Sequence, residues 1–167
     1  VKTTAGLVQG TTTEDGAIRI YKGIPFAAPP TGELRWQAPK PAASWPGVRD
    51  ATEFGQRCMQ GQIFGDIVFT NKSEDCLNLN LWTPDPGAAG LPVMVWIQGG
   101  MCELSSTAAY DGRRFARDGV VCVVINWRPG AEGFLYLGDG IANLGLLDQV
   151  AALEWVRDSI SAFGGDP

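Results

Sequence analysis

The sequence has 167 residues, the size of roughly one domain, and its 45% hydrophobic and 19% charged residues form an ordinary globular composition that argues against disorder. The formal net charge of -5 gives no electrostatic basis for a nucleic-acid partner or for an anionic membrane surface. No apolar run approaches the ~18 residues of a membrane-spanning helix, so we expect no membrane span.

The N-terminal residues Val1 to Gly10 have neither the basic nor the apolar segment of a signal peptide, which favours the cytoplasm.

Cys122 lies within an apolar run, as a small buried side chain would. Cys58 and Cys76 stand in polar, loop-like sequence, either as free thiols or as a pair that closes one loop. A formed disulfide would favour export instead. Asn71-Lys72-Ser73 fits the glycosylation sequon, a pattern that is frequent by chance.

The chain contains no histidine. A mechanism that needs an imidazole base therefore cannot be completed within these residues. No CxxC pair and no cluster of cysteine and histidine indicates zinc. We expect neither a metal nor a cofactor.

The first third of the chain predicts a β-hairpin followed by ordered coil. Leu7 to Gly10 and Ala17 to Tyr21 flank a turn-like segment at Thr13 to Gly16, which is typical of a hairpin. Gly23 to Gly47 is too rich in proline for a helix or a central strand, because proline lacks a backbone donor. Its three large aromatic side chains predict that it packs against a core.

Three strands are predicted in the middle of the chain. Leu77 to Trp82 alternates apolar and polar residues, which indicates a half-buried strand. Pro92 to Ile97 and Val120 to Asn126 are continuously apolar, as expected for strands covered by helices on both faces. Between them, Tyr110 to Asp118 predicts a short helix.

A helix is predicted from Asn143 to Phe163, where the apolar residues recur with helical period. Gly164 and Gly165 are expected to end it. One apolar face is predicted to contain Leu144, Leu147, Ala151 and Trp155, and Val156, Ile160 and Phe163 continue it.

These elements predict an α/β fold with a mostly parallel central sheet, flanked by helices and preceded by the N-terminal hairpin. Such a sheet would need partner strands from elsewhere, because its edge would be open.

Five motifs resemble one known family. EDCLNLN, at Glu74 to Asn80, is similar to the second signature of the type-B carboxylesterases and cholinesterases. The other four occur in that family's order: GIPFAAPPTGELRW at Gly23 to Trp36, ATEFGQRCMQ at Ala51 to Gln60, NWRPGAEGFL at Asn126 to Leu135, and NLGLLDQVAALEWVRDSISAFGGDP at Asn143 to Pro167. The resemblance implies an α/β-hydrolase fold and hydrolysis of carboxylic esters through an acyl-enzyme, by a triad of serine, glutamate or aspartate, and histidine.

The resemblance also implies that residues 1–167 are the N-terminal part of a single catalytic domain. In this family the nucleophile elbow, GESAG, follows about ten residues after GGDP, so the serine and the rest of the triad are expected beyond Pro167. The expected partners are a small-molecule ester and the remaining C-terminal part of the enzyme. By itself, the 167-residue segment is expected to be inactive.

The oxyanion-hole loop is the part of the catalytic machinery that the resemblance assigns to this chain. Gln98, Gly99, Gly100 and Met101 fall where the family has His or Tyr followed by GGG or GGA. The resemblance makes the N–H groups of Gly100 and Met101 the oxyanion donors, with Gly99 shaping the turn. Met101 and the following Cys102 depart from the pattern, and a methionine side chain would narrow the acyl pocket or displace the loop. The alternative is a tight turn with no ligand.

The family pattern also implies two structural pairings. It pairs Cys58 with Cys76 in a disulfide, and Arg35 with Glu74 in an ion pair. The ion pair is favoured over a catalytic carboxylate pair of Glu74 and Asp75, because neighbouring residues in extended chain point in opposite directions.

A second function remains open from the sequence. The irregular loop Met101-Cys102-Glu103 and the missing histidine are compatible with a catalytically silent, cholinesterase-like binding or adhesion module.

Overall fold

The computed structural model describes residues 1–61, 72–138 and 140–167; Asn71 of the sequon lies outside them. The strands are Leu7–Gln9 (β1), Thr11–Thr12 (β2), Arg19–Pro25 (β3), Val48–Asp50 (β4), Asn78–Thr83 (β5), Val93–Ile97 (β6) and Val121–Ile125 (β7). The helices are Arg113–Arg117 (α1), Gly130–Phe134 (α2) and Leu144–Ser159 (α3), with 3-10 turns at Gly32–Leu34, Thr107–Ala109 and Ile160–Phe163. No helix in this part of the chain is long and apolar enough to cross a membrane.

A mixed five-stranded sheet in the order β2-β3-β5-β7-β6 forms the centre, and β1 and β4 make a separate parallel pair. The expectation of a mostly parallel sheet is corrected for this part of the chain. Only β6 and β7 are parallel within the five-stranded sheet, whereas β2-β3, β3-β5 and β5-β7 are antiparallel. A parallel pair requires a long crossover, and the segment that contains α1 provides one between β6 and β7.

The N-terminal hairpin is present but begins later than predicted. Thr11 and Thr12 pair with β3, whereas Leu7–Gln9, predicted as its first arm, pairs with β4 instead. Gly10 lies between β1 and β2, where the backbone passes close to that of Ile20 in β3. A Cβ at Gly10 would lie 2.1 Å from the carbonyl oxygen of Ile20, so only glycine lets the chain pass there.

Strand β5 is fully buried, and the half-buried strand predicted from its alternation is therefore wrong. All six residues from Asn78 to Thr83 are buried. Leu79 and Leu81 enter the main core, and Trp82 enters a second apolar cluster on the opposite face. The buried Asn80 is hydrogen-bonded through one end of its amide only: its Oδ1 accepts from the N–H of Gly23 at 2.9 Å, and its Nδ2 has no partner among the described residues.

The two apolar strands differ in burial. β7 is buried at every residue, as predicted, because it lies between β5 and β6. β6 is the edge strand of the described sheet, and Trp96 and Ile97 are 40% and 42% exposed. The prediction that both faces of β6 are covered is therefore not met within the described residues.

Helix α3 runs close to its predicted bounds, continues as a 3-10 turn to Phe163 and ends at Gly164, which has a φ of 88°. Most of the predicted apolar face is confirmed, since five of its seven residues are buried: Leu144, Trp155, Val156, Ile160 and Phe163. Leu147, predicted to face the core, is 36% exposed. The buried face includes Gly145 instead, where a Cβ would lie 2.5 Å from the carbonyl oxygen of Arg128.

A buried ion pair joins α3 to the segment after β7. The Nε and Nη2 of Arg128 donate to the two carboxylate oxygens of Asp148 at 2.8 and 2.7 Å, and the N–H of Arg128 adds a third bond at 3.0 Å. The two side chains are only 2% and 0% exposed. Arg128 and Asp148 therefore form a buried structural ion pair.

We expect Asp148→Ala to lower the free energy of unfolding of the protein by about 3–5 kcal/mol, because it leaves a buried guanidinium without its counter-charge. Urea unfolding measures the loss. Asp158→Ala is the matched control on the same helix, since it removes an exposed ion pair with Arg157 and should leave the midpoint unchanged. Equal midpoints for the two variants would contradict the expectation.

Candidate functional site

The segment that leaves β6 folds into a tight left-handed turn. The carbonyl oxygen of Gly100 accepts hydrogen bonds from the N–H groups of Glu103 and Leu104 at 2.9 and 3.1 Å. The two residues inside the turn, Met101 and Cys102, have φ values of 54° and 59°. Glycine, asparagine or aspartate normally occupies such positions, so these two side chains are held in a conformation that costs roughly 1–2 kcal/mol per residue.

The two glycines before the turn have different roles. A Cβ at Gly100 would lie 2.3 Å from the carbonyl oxygen of Leu104, so the turn closes only with glycine there. Among the described residues, a Cβ at Gly99 would meet nothing within 4 Å. Gly100 is therefore required by the packing of the loop itself, whereas Gly99 borders open space.

The turn presents two neighbouring backbone donors. Among the described residues, the N–H groups of Gly100 and Met101 have no hydrogen-bond acceptor. Met101 itself is 79% exposed. Two consecutive N–H groups without acceptors can bind an oxygen atom that carries negative charge.

The loop is anchored to the segment that follows β7. The buried Gln98 donates from its Nε2 to the Oγ of Ser105 at 2.8 Å, and the same Oγ accepts from the N–H of Trp127 at 3.3 Å. The N–H of Gly130 donates to the carbonyl oxygen of Cys102 at 2.5 Å. Sequence reasoning missed Ser105, and a serine pair in a loop carries no signal by which its anchoring role could have been found.

The paired residues of the site prediction come together in the structure. Cys58 and Cys76 form a disulfide between two fully buried side chains. The guanidinium of Arg35 binds the carboxylate of Glu74, and this hydrogen bond raises the pKa of Arg35. Asp75 is not part of that pair; its backbone N–H donates to the Oγ of Ser73 at 3.1 Å.

A cavity of about 350 Å³ lies beside the turn. Its lining combines the apolar Met59, Leu104 and Pro129 with the carboxylates of Glu103 and Glu132. Burial raises the pKa of Glu132, with repulsion from Glu74 acting in the same direction against the attraction of Arg35 and Arg128. A cleft of this size, mostly apolar with a few polar groups, is suited to a small organic molecule.

Within residues 1–61, 72–138 and 140–167, no group of three or more His, Cys, Asp or Glu side chains is arranged so that it could hold a metal ion.

The four cysteines are expected to differ in reactivity. Without reductant, iodoacetamide at pH 8 should label Cys102, because this free thiol is exposed. Cys122 should resist, since burial raises the pKa of its thiol to about 11. Cys58 and Cys76 should react only after reduction. Peptide mapping by mass spectrometry measures the labelling of the native, the denatured and the reduced protein. Labelling of Cys58 or Cys76 without reductant would contradict the disulfide.

Comparison with known proteins agrees with this geometry. The model of the Carboxylesterase family matches residues 1–167, the whole chain. The para-nitrobenzyl esterase of Bacillus subtilis (strain 168) is 48% identical over 177 residues, which cover 100% of this chain and 36% of that protein. The phenmedipham hydrolase of Pseudarthrobacter oxydans is 45% identical over 174 residues, covering 99% of this chain and 35% of its own length.

A solved structure of PNB esterase superposes with a TM-score of 0.92 at 45% identity, covering 100% of this chain and 36% of that one. This similarity confirms the predicted α/β-hydrolase class. The chain spans about a third of the length of the relatives it matches, 36% in the Bacillus protein. Since the family model matches every residue from 1 to 167, the chain belongs to the carboxylesterase family.

Proposed function

We propose that this chain is the N-terminal part of a serine carboxylesterase and that it supplies the oxyanion-hole loop. The observation that carries the proposal is the pair of N–H groups at Gly100 and Met101, which have no acceptor among the described residues. They lie just beyond the carboxyl end of β6, the edge at which α/β proteins bind their ligands. Membership of the carboxylesterase family supports the assignment of an ester to this position.

In the proposed reaction, the serine oxygen attacks the ester carbonyl carbon while its proton passes to a histidine base, and the electron pair of the C=O π bond moves onto the carbonyl oxygen. The N–H groups of Gly100 and Met101 then stabilise the negative charge on that oxygen. They are backbone groups held by the turn, so they require no reorganisation when the charge develops. When the electron pair returns from that oxygen, the ester C–O bond breaks, the alcohol leaves with the proton from the base, and an acyl-enzyme remains. The chain has no histidine, so the base must come from the remainder of the enzyme.

We further propose that residues 1–167 belong to a single catalytic domain whose nucleophile elbow and remaining triad lie beyond Pro167. Two apolar surfaces support this. Trp96 and Ile97 are exposed on β6, and α3 exposes a face composed of Leu146, Leu147, Val150 and Leu153. Apolar surfaces of this kind are normally covered within a domain. The isolated segment is expected to be inactive, because the proposed serine and histidine lie outside it.

Aromatic carboxylic esters are the proposed substrates. The 48% identical relative is named for para-nitrobenzyl esters, and the cavity beside the turn is lined mostly by apolar groups. An aryl or benzyl group would bury apolar surface in such a cavity.

We expect the full-length protein to hydrolyse p-nitrophenyl acetate and p-nitrobenzyl acetate, and a serine-directed sulfonyl fluoride to abolish the activity. Release of p-nitrophenol and of p-nitrobenzyl alcohol measures the turnover. Peptide mapping should place the modified serine in a GxSxG sequence within about twenty residues after Pro167. A correctly folded protein that turns over neither ester would instead support the silent binding module.

We expect Gly100→Ala to lower kcat of the full-length enzyme by about 10²–10³-fold, the effect of losing one oxyanion donor. The added methyl group must displace the carbonyl of Leu104, which lies 2.3 Å from its position, and the N–H groups would move with the turn. Gly99→Ala adds the same methyl group where nothing lies within 4 Å, so its effect on kcat should be far smaller. Steady-state kinetics compare the two variants, and equal losses would contradict the role of Gly100.

A further inference from the structure

We propose that Gln60 is a positioning residue for the oxyanion-hole turn, acting through the backbone of Ser105. The inference rests on the proposed function of that turn and extends it to a residue outside the loop. The side-chain amide of Gln60 binds both backbone groups of Ser105. Its Nε2 donates to the carbonyl oxygen at 2.7 Å, and its Oε1 accepts from the N–H at 3.2 Å.

The Gln60 amide holds a point of the loop that is itself buried. Ser105 is 1% exposed, and its hydroxyl is already occupied by the Nε2 of Gln98 and the N–H of Trp127. Ser105 is therefore held at its backbone by Gln60 and at its side chain by Gln98 and Trp127. The next residue toward the turn, Leu104, donates its N–H to the carbonyl oxygen of Gly100 at 3.1 Å. A shift of Ser105 would therefore move the turn that carries the two donors.

Gln60 is in turn fixed by the segment that the disulfide closes. Its Nε2 also donates to the carbonyl oxygen of Cys58 at 2.9 Å, and its own carbonyl oxygen accepts from the Nζ of Lys72 at 3.1 Å. Cys58 is covalently joined to Cys76, two residues before β5. The turn is thereby connected to the central sheet by hydrogen bonds and one covalent bond.

Only an amide of this length satisfies the geometry. The contact requires a donor and an acceptor on one planar group, which glutamine provides and a carboxylate or an apolar side chain does not. Glutamate would place negative charge against the carbonyl oxygens of Ser105 and Cys58. Asparagine keeps both groups but is shorter by one methylene, so it cannot reach Ser105 from the same backbone position.

The test compares Gln60→Leu with the wild type in the full-length enzyme. We expect kcat for p-nitrophenyl acetate to fall about 10–100-fold, the scale of a misplacement of about 1 Å. Gln60 also lines the cavity beside the turn, so a change in KM is expected as well. An aryl trifluoromethyl ketone provides the second readout. The serine oxygen adds to its carbonyl carbon, the serine proton passes to the histidine base, and the π electron pair becomes an oxyanion in the hole. The ratio of its affinity to that of the matching aryl methyl ketone should fall by the same factor as kcat, because both ketones occupy the cavity and the oxyanion forms on the trifluoromethyl ketone.

Thr83→Val is the control for a purely structural loss. It removes a buried hydrogen bond of 2.8 Å to the carbonyl oxygen of Phe163, and this contact involves neither the turn nor the segment closed by the disulfide. It should lower the urea midpoint while leaving kcat and the affinity for the trifluoromethyl ketone as in the wild type. If Gln60→Leu does not fold, Gln60→Asn replaces it, with the same expected direction.

The outcomes separate the two proposals. A wild-type enzyme without esterase activity overturns the proposed function and this inference with it. An active wild type whose Gln60 variants keep kcat and trifluoromethyl ketone affinity leaves the function standing and overturns the role of Gln60. A parallel fall of both quantities in the Gln60 variant, absent from Thr83→Val, supports the positioning role.

Discussion

The ion pair between Arg128 and Asp148 is the contact on which the arrangement around the site depends. Two charges removed from water are costly unless they are paired and hydrogen-bonded, and Asp148 accepts three hydrogen bonds from Arg128. The carbonyl of Arg128 is approached so closely that a Cβ at Gly133 would lie 1.9 Å from it and one at Gly145 2.5 Å. These contacts hold α2 and α3 against the end of β7, next to the turn.

A second set of buried polar groups connects the motifs to one another. The Nδ2 of Asn78 donates to the carbonyl oxygens of Gln56 and Cys76, and the Nδ2 of Asn126 donates to Gln56 and to the Oδ1 of Asn78. The Oδ1 of Asn126 accepts from the N–H of Thr107. Two motifs that are far apart in sequence are therefore joined inside the protein by their asparagine side chains. Each amide has partners, so the burial of these polar groups is compensated.

Several features were predictable from local pattern. The strand at Val121–Ile125 and the helix at Leu144–Ser159 are present as predicted. A continuous apolar run is typical of a strand buried on both faces, and apolar residues with helical period are typical of an amphipathic helix. The exposure of Leu147 on α3 was not predictable, because the helical period places it on the same face as Leu144 and Ala151. Only the folded chain shows that Gly145 packs against the carbonyl of Arg128.

The candidate site divides in the same way. The paired glycines and the cysteines were identified from motifs, and so was the contact of Arg35 with Glu74. Gln60 and Ser105 were not, since a single glutamine and a single serine have no periodicity or spacing that indicates their partners. Their contact joins residues 45 positions apart. Nor did the sequence indicate the left-handed turn at Met101 and Cys102, because side chains of those types normally avoid positive φ.

The family and the order of the main elements could be predicted from the sequence, because local motifs indicate the family and the spacing of apolar residues indicates the elements. Only the folded chain shows the pairing of the strands, the exposure of Leu147 on α3 and the conformation of the turn. The physical reason is that these depend on long-range contacts at close distance. No local pattern in the sequence indicates that a glycine packs against a distant carbonyl, that a buried carboxylate pairs with a guanidinium, or that a side-chain amide binds a distant backbone.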